Sequence, residues 1–330
     1  MRPLVSIIIP TYNRADVIER ALNSVISQTY KNFEVIIVDD GSKDNTEEVV
    51  NNFIKKLKNK FKIQYIRLPK NYGANFARNY GIKLSEGDLI AFLDSDDIWL
   101  PKKLELQVKK MSCSKRNYGA VYTSFWRVYP NGAKVLEPNV NKYKKLEGNI
   151  LKVLLGDGLA ITSTLVVKRL VLEEVGMFDE SLRRFQEWDL LIRISKRFEI
   201  GFVNQPLVIS YVRKDSISTS TLMDFENHIL RLVNKHREEY MHNKGALSNV
   251  YTMLATKLCS CSQNNNEFLK GVNYFRKAWL LSPFNLKALV GFVSAKFGKE
   301  CYMFVSKLYH RTLGKNSVAW SEWVFSENYK

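Results

Sequence analysis

The sequence predicts a doubly wound α/β fold, with a mostly parallel sheet flanked by helices and a helical C-terminal extension. Three observations predict it. Near-continuous apolar runs at 4–10, 33–40 and 88–94 suit strands covered on both faces. Segments with apolar residues at helical spacing separate them, and such alternation implies parallel strands joined by right-handed crossovers. Each strand leads into a polar loop bearing Pro, Gly or Asp, and ligands of such sheets bind outside the carboxyl ends of the strands.

The elements follow in order. The first strand, LVSIIIP (4–10), is stopped by Pro10, and the helical segment 14–28 places Val17, Ala21, Leu22, Val25 and Ile26 on one side. FEVIIVDD (33–40) is the second strand. The helix after it is expected to open with Ser42 as N-cap and Asp44 in its first turn. KIQYIRLP is a third strand and ANFARNYGIKL a third helix, with Gly81 near its centre. DLIAFLD (88–94) is the fourth strand, and Pro101 is placed to start an amphipathic helix. Beyond it, 118–129 alternates like strands, 131–149 reads as a polar loop and 161–170 as a further strand. QEWDLLIRISK (186–196) is a helix, EIGFVNQPLVISYV a returning strand, and the text from 221 on is helical with breaks near 262–266 and 282–285. The expected division is a doubly wound α/β domain, 1–220, and a helical extension, 221–330.

The sheet-end rule gathers PTYNR (10–14), DDGS (39–42), PKNYG (69–73) and DSDD (94–97) around one crevice. Crowded carboxylates repel one another and need protons or a cation. A hard divalent ion such as Mg²⁺ or Mn²⁺ takes one or two carboxylates and leaves its other positions to water and phosphate. In extended chain Asp94 and Asp96 point the same way, while Asp97 points elsewhere and is available to cap the next helix. By itself Asp-Ser-Asp-Asp also reads as an acidic turn with Asx-type hydrogen bonds. Tyr12 offers a ring to stack on a flat base, and Asp39 and Asp40 offer carboxylates to a base or ribose. The chain has neither a P-loop nor a G-x-G-x-x-G after its first strand.

The 330 residues carry a formal net charge of +17. Residues 221–330 hold 15 basic and 8 acidic side chains, so the charge is spread rather than confined to a tail. A solvated surface, a polyanion and an anionic membrane face are the three readings of that charge. A nucleic-acid partner is not expected, because the crevice is acidic. Four cysteines without a C-x-x-C pair and four scattered histidines argue against a zinc site or a disulfide framework. No signal-peptide pattern and no run near the roughly 18 apolar residues of a span are found. The expected location is therefore the cytoplasm, at the inner face of the cell membrane if the extension binds lipid.

VSIIIPTYNRADVIERALNSVISQTYKNFEVIIVDDGSKDNT, NYGANFARNYGI, GDLIAFLDSDDIWLP, VGMFDESL and QEWDLLIRI, in this order, resemble a family 2 glycosyltransferase of the GT-A fold over roughly residues 3–215. The resemblance implies an inverting transfer of a sugar from a UDP-sugar to an acceptor hydroxyl, metal-dependent with Mn²⁺ or Mg²⁺. The acceptor implied is a glycan or lipid-linked glycan of bacterial surface polysaccharide or glycolipid assembly. Carried over by residue, Tyr12 resembles the base-stacking aromatic, beside Pro10 and Thr11. Asp40 resembles the acid that binds the uracil edge, with Asp39 the weaker candidate. Asp96 matches the principal metal ligand and Asp94 the acid facing ribose or metal-bound water. Arg78 stands where the family has a basic donor contact, or a salt bridge holding the loop. Where the family has Glu-Asp before Trp-Asp, this chain has Gln186-Glu187, so Glu187 falls at the position of the base with one extra methylene. Asp189, about 200° further around the helix, then reads as a first-turn acid on the helix dipole. Lys214 stands near a family histidine at the donor site, and a solvated loop lysine is the other reading. The basic, aromatic helices after 221 suit a membrane interface, packing on the catalytic domain or a dimer partner. A non-catalytic sugar-nucleotide or glycan-binding protein is the alternative function, and oligomeric state is left open.

Overall fold

The structure is a computed structural model that describes residues 2–112, 116–213 and 221–312, with backbone alone for 309–312. Lys214, much of the segment around it and Cys113 lie outside the described residues. The chain divides into two compact units. The first comprises Met1–Val128, Leu136–Leu151 and Leu159–Tyr211; the second comprises Tyr129–Val135, Lys152–Gly158 and the described residues from Val212 onward.

The strands of the first unit are β1 (Val5–Thr11), β2 (Phe33–Asp39), β3 (Lys62–Arg67), β4 (Leu89–Phe92), β5 (Ile98–Trp99), β6 (Tyr118–Val128), the short β7 (Lys134–Glu137), β8 (Val166–Lys168) and β9 (Glu199–Tyr211). They form one sheet in the order β3-β2-β1-β4-β8-β6-β9-β5, with β7 beside β6. Its helices are α1 (Ile18–Ile26), α2 (Thr46–Lys56), α3 (Ala74–Leu84), α4 (Lys103–Ser112), α6 (Arg169–Val175) and α7 (Gln186–Ser195), while the short α5 (Leu151–Gly156) belongs to the second unit from Lys152 on. The expected doubly wound α/β architecture is what forms. β2, β1 and β4 are parallel neighbours, and β3 adds to β2 in parallel.

The continuous apolar runs explain the central position of β1 and β2, whose residues are all buried. The period of two divides them between layers. Ile7, Ile9, Val35 and Ile37 join the core that contains Ile18, Leu22, Val25, Val50 and Phe53 from α1 and α2. Ile8 and Val38 meet α3 from the other face at Gly81, where a Cβ would lie 2.7 Å from Ile8 Cγ2. The glycine near the centre of α3 is thus a close-approach position. β3 is the half-exposed edge, and its Lys62 pairs with Glu34 at 2.8 Å and Glu86 at 2.6 Å, a charge that blunts an open strand edge.

The second half of the sheet is mixed. β8 runs antiparallel between β4 and β6, β5 is antiparallel to β9, and β6 is parallel to β9 with register shifts around Thr123–Phe125. Three expectations are corrected here. The stretch 161–170 is not one strand: Thr162–Thr164 is a 3₁₀ turn, β8 is three residues long, and α6 starts at Arg169. The loop 131–149 contains β7 and a 3₁₀ turn at Val140–Lys142. Ser42 does not cap α2, which begins at Thr46; Asp44 accepts the Thr46 N–H instead, because Gly41 at φ 77° turns the chain early and leaves Ser42 facing the first loop.

The second unit is helical: α8 (Leu222–Lys235), α9 (Arg237–His242), α10 (Lys244–Cys261), α11 (Asn265–Leu281), α12 (Leu286–Lys296) and α13 (Lys299–Thr312). Asn264 and Asn285 cap α11 and α12, each accepting from a backbone N–H three residues on. Phe268, Val272 and Phe275 of α11 pack with Ala255, Cys259, Ala295 and Tyr302. No helix among the described residues is long and apolar enough to cross a membrane.

Candidate active site

The loops after β1, β2 and β3 are stitched into one surface. The ladder continues past the strands, with Asp40 N donating to Thr11 O at 2.8 Å and Leu68 N to Asp39 O at 2.7 Å. Asn13, held at φ 51°, donates its N–H to Ser42 Oγ at 2.8 Å and accepts from Lys43 N at 2.8 Å. The buried Asp39 carboxylate accepts from Ser42 N at 2.7 Å and Tyr65 Oη at 2.6 Å, so it holds the loop. Asp40 accepts from Tyr72 N at 2.7 Å and Gly73 N at 2.8 Å, which fixes the entry to α3. Burial pushes the Asp40 carboxyl up, against those two hydrogen bonds. Gly41 presses on this loop so closely that a Cβ would lie 2.8 Å from the Lys70 carbonyl carbon. Pro10 and Thr11 are buried, the Thr11 hydroxyl has no hydrogen-bond partner among the described residues, and the Tyr12 ring stays exposed at the surface.

The acids after β4 sort themselves by burial. The side chains of Asp94 and Asp96 keep 31% and 19% of their exposure, whereas Asp97 keeps 3%. Asp94 Oδ1 accepts from Arg78 Nη2 at 2.6 Å. Asp96 Oδ2 lies 4.0 Å from Arg14 Nε, and its carbonyl accepts from Arg20, whose guanidinium covers the Tyr211 ring at 4.2 Å. Asp97 does not cap α4, contrary to expectation. It turns inward and accepts from Ser163 Oγ at 2.5 Å, and Ser163 in turn accepts from Asp94 N at 3.0 Å. Burial, then the charges of Asp96 and Asp94, push the Asp97 carboxyl well up. The two reachable carboxylates, Asp94 and Asp96, are oxygen donors of the kind a hard divalent ion takes when water and phosphate complete its shell. Among the described residues no three His, Cys, Asp or Glu side chains are grouped so as to hold a metal ion.

α3 ties these loops to α7. Asn75 donates to the carbonyls of Asp179 and Leu182, Asn79 donates to Phe178 O at 2.9 Å, and Arg78 Nη1 donates to Asn75 Oδ1 at 2.7 Å. Arg78 is buried, so it is the salt bridge at the loop that the structure displays. The segment 178–182 leads into α7, which starts after Phe185 at φ 61°. Glu187, in the first turn, is half-buried. Its Oε2 is 3.4 Å from Thr162 Oγ1. Burial pushes its carboxyl up, opposed by the charge of Arg78 and reinforced by that of Asp94, so these three groups share one neighbourhood. Asp189 is fully buried and takes Arg193 at 2.9 Å, while Arg193 also donates to the carbonyls of Val175, Gly176 and Met177. That pair anchors the turn before the site.

Arg78, Asp94, Asp97 and Glu187 thus share one neighbourhood, and Asp40 is tied to it through the start of α3, whereas Pro10 and Thr11 are buried at the end of β1 and Tyr12 is an exposed ring on the loop that follows. Sequence reasoning missed Thr162, Ser163 and Asn75. The run of three hydroxyls in ITST was a signal for the first two, since a buried strand seldom spends three positions on hydroxyls.

The comparisons with known proteins agree with this picture. The model of the glycosyl transferase family 2 matches residues 6–173. An uncharacterized glycosyltransferase of Rickettsia typhi is 31% identical over 228 residues, 68% of this chain and 69% of that protein. The UDP-Glc:alpha-D-GlcNAc-diphosphoundecaprenol beta-1,3-glucosyltransferase WfgD of Escherichia coli is 40% identical over 152 residues, 44% of this chain and 56% of WfgD. Among solved structures, S. aureus TarS 1-349 in complex with UDP-GlcNAc has a TM-score of 0.64 at 20% identity, over 93% of this chain and 92% of that one. The mannosyltransferase PcManGT from Pyrobaculum calidifontis, in complex with GDP-Man and Mn²⁺, has a TM-score of 0.64 at 16% identity, over 98% and 84%. At those identities the likeness to the two structures is one of fold. The fold is that of the GT-A glycosyltransferases. The chain belongs to glycosyl transferase family 2 and is a glycosyltransferase.

Proposed function

We propose that this glycosyltransferase moves a sugar, with inversion, from a UDP-sugar to a hydroxyl of a lipid-linked glycan in bacterial surface polysaccharide or glycolipid assembly. The observation that carries the reading is Glu187: a half-buried carboxyl 3.4 Å from Thr162 Oγ1 that shares its neighbourhood with the Arg78–Asp94 pair after β4, where burial pushes it up. A carboxylate with a raised pKa is a stronger base than an ordinary glutamate, which favours proton transfer from a hydroxyl. The relative WfgD, by its name, takes UDP-Glc and a diphosphoundecaprenol-linked acceptor, which supports both donor and acceptor class.

In this reading the exposed Tyr12 ring stacks on the uracil, backed by Pro10 and Thr11. Asp40, which has lone pairs left after Tyr72 and Gly73, accepts from the uracil edge. Asp96 and Asp94 are the residues that would hold Mn²⁺ or Mg²⁺, which would supply Lewis-acid neutralisation of charge on the departing diphosphate. Arg78 keeps Asp94 in place. Glu187 takes the proton of the acceptor hydroxyl on the face opposite the leaving group, so an α-linked UDP-sugar yields a β-glycoside. Residues 1–220 carry the chemistry, and 221–330 meet the acceptor, the inner face of the membrane or another subunit.

The test is a UDP-release screen over donor sugars with Mn²⁺. One donor is expected to be turned over, and Asp96→Ala to lose both turnover and its metal dependence. Turnover of that donor by Asp96→Ala at the wild-type rate would contradict the assignment of the acids.

A further inference from the structure

α12 has its side chains arranged the wrong way round for a helix that ends at water. Its buried face is made of Ala288, Gly291, Ser294 and Ala295. They are small because α12 lies hard against α11: a Cβ on Gly291 would be 2.5 Å from the Phe275 ring. Its outer face carries the large apolar residues instead. Leu286, Val290, Val293 and Phe297 are 69%, 43%, 47% and 78% exposed. Their spacing of four, three and four residues makes one continuous stripe. Phe284, just before the helix, is 94% exposed. A normal amphipathic helix reverses this order, and a contiguous exposed apolar patch marks an interaction surface.

We propose that this stripe docks the chain on an anionic lipid surface, with Phe284, Val290, Val293 and Phe297 entering the headgroup–acyl boundary. Charge selects this occupant over a second copy of the chain. Residues 265–312 hold 8 Lys and Arg against 2 Glu, and Lys287 and Lys296 flank the stripe itself. Two such faces would oppose like charges, whereas anionic headgroups complement them. Insertion is shallow, because the 11 residues of α12 span only about 16 Å, short of the roughly 30 Å of a bilayer core. The inference deepens the lipid-linked acceptor reading and rests on it for its biological purpose, but its test reads lipid binding without turnover.

The experiment is co-sedimentation of the full chain with phosphatidylcholine vesicles, with and without phosphatidylglycerol. Wild type is expected to sediment with the anionic vesicles and to stay in solution with the neutral ones. Val290→Gln/Val293→Gln, at outward positions, is expected to weaken binding by about tenfold or more, with UDP affinity by calorimetry unchanged. Phe284→Ser, in the connection before the helix, is expected to weaken it in the same direction. The proposal is overturned if wild type fails to sediment with anionic vesicles, or if both variants sediment as wild type does. It is equally overturned if light scattering shows a wild-type dimer that the double variant dissolves and vesicles bind neither. A chain that docks but releases UDP from no donor would instead count against the transfer reading alone.

Discussion

Glu187 and Asp189 stand two residues apart on α7, and their surroundings give them opposite tasks. Asp189 is spent on Arg193 in the interior, whereas Glu187 faces Arg78 and Asp94 with its carboxyl pushed up by burial. The native state therefore holds the Glu187 proton to higher pH than the unfolded chain does. It follows that the stability difference falls as pH rises from the ordinary glutamate range through the raised native value. Glu187→Gln should accordingly be more resistant to urea than wild type at neutral pH and lose that advantage below the glutamate range. The acidic limb of kcat/KM in wild type should lie above the pKa of an ordinary glutamate; a limb at or below it would remove the argument for a tuned base. At this scale the sequence was informative about the candidate acids and silent about their supports. Asp94, Asp96 and Glu187 announce themselves as acids in strand-end and helix-start contexts. Ser163, which bridges the Asp94 N–H and the Asp97 carboxyl, sits in a run whose alternation imitates a strand. Only the tertiary fold shows which way its hydroxyl turns. Asp97 was misread for the same reason: capping is a local rule, and burial beside Ser163 is not local.

At the scale of elements, β1, β2, β4 and α3 were legible because each is fixed by a strong local pattern, either an unbroken apolar run or helical spacing closed by known turn chemistry. What escaped was decided by pairing. β5 is two residues long and exists because Ile98 and Trp99 meet Ile209 and Val208 of β9. The antiparallel β8 is three residues wedged between β4 and β6, too short to show a period. α7 is held at its start by a buried ion pair rather than by a capping side chain. The Asp189 side chain is fully buried and that of Arg193 is 15% exposed. Removing one partner leaves an uncompensated buried charge, so Arg193→Met should lower stability by about 3–5 kcal/mol. The same change should loosen Val175–Met177 and misplace Glu187. Urea denaturation together with kcat would check this: a variant as stable and as active as wild type would show that the pair does not hold the site.

For the whole molecule, the positive charge and the acidic crevice no longer conflict. At the strand ends Asp94 and Asp96 are offset by Arg78, Arg14 and Arg20, and residues 221–330 carry a further surplus of 15 basic over 8 acidic side chains. The loops after β1 to β3 are tied by backbone bonds, so a ligand seated across them should stabilise the whole fold. With UDP at about a hundredfold its Kd the gain is about 2.7 kcal/mol, visible as a rise of several degrees in Tm. Mn²⁺ should add to that rise in wild type and not in Asp96→Ala; an equal increment in both would put the ion elsewhere. The central claim is that Glu187 is the proton acceptor of a transfer organised by these loops. The most direct measurement is UDP release by Glu187→Gln, paired with UDP binding by the same protein. The account predicts that release falls by about 10²–10⁴-fold while UDP affinity is unchanged. A Glu187→Gln enzyme that still transfers at the wild-type rate would contradict it.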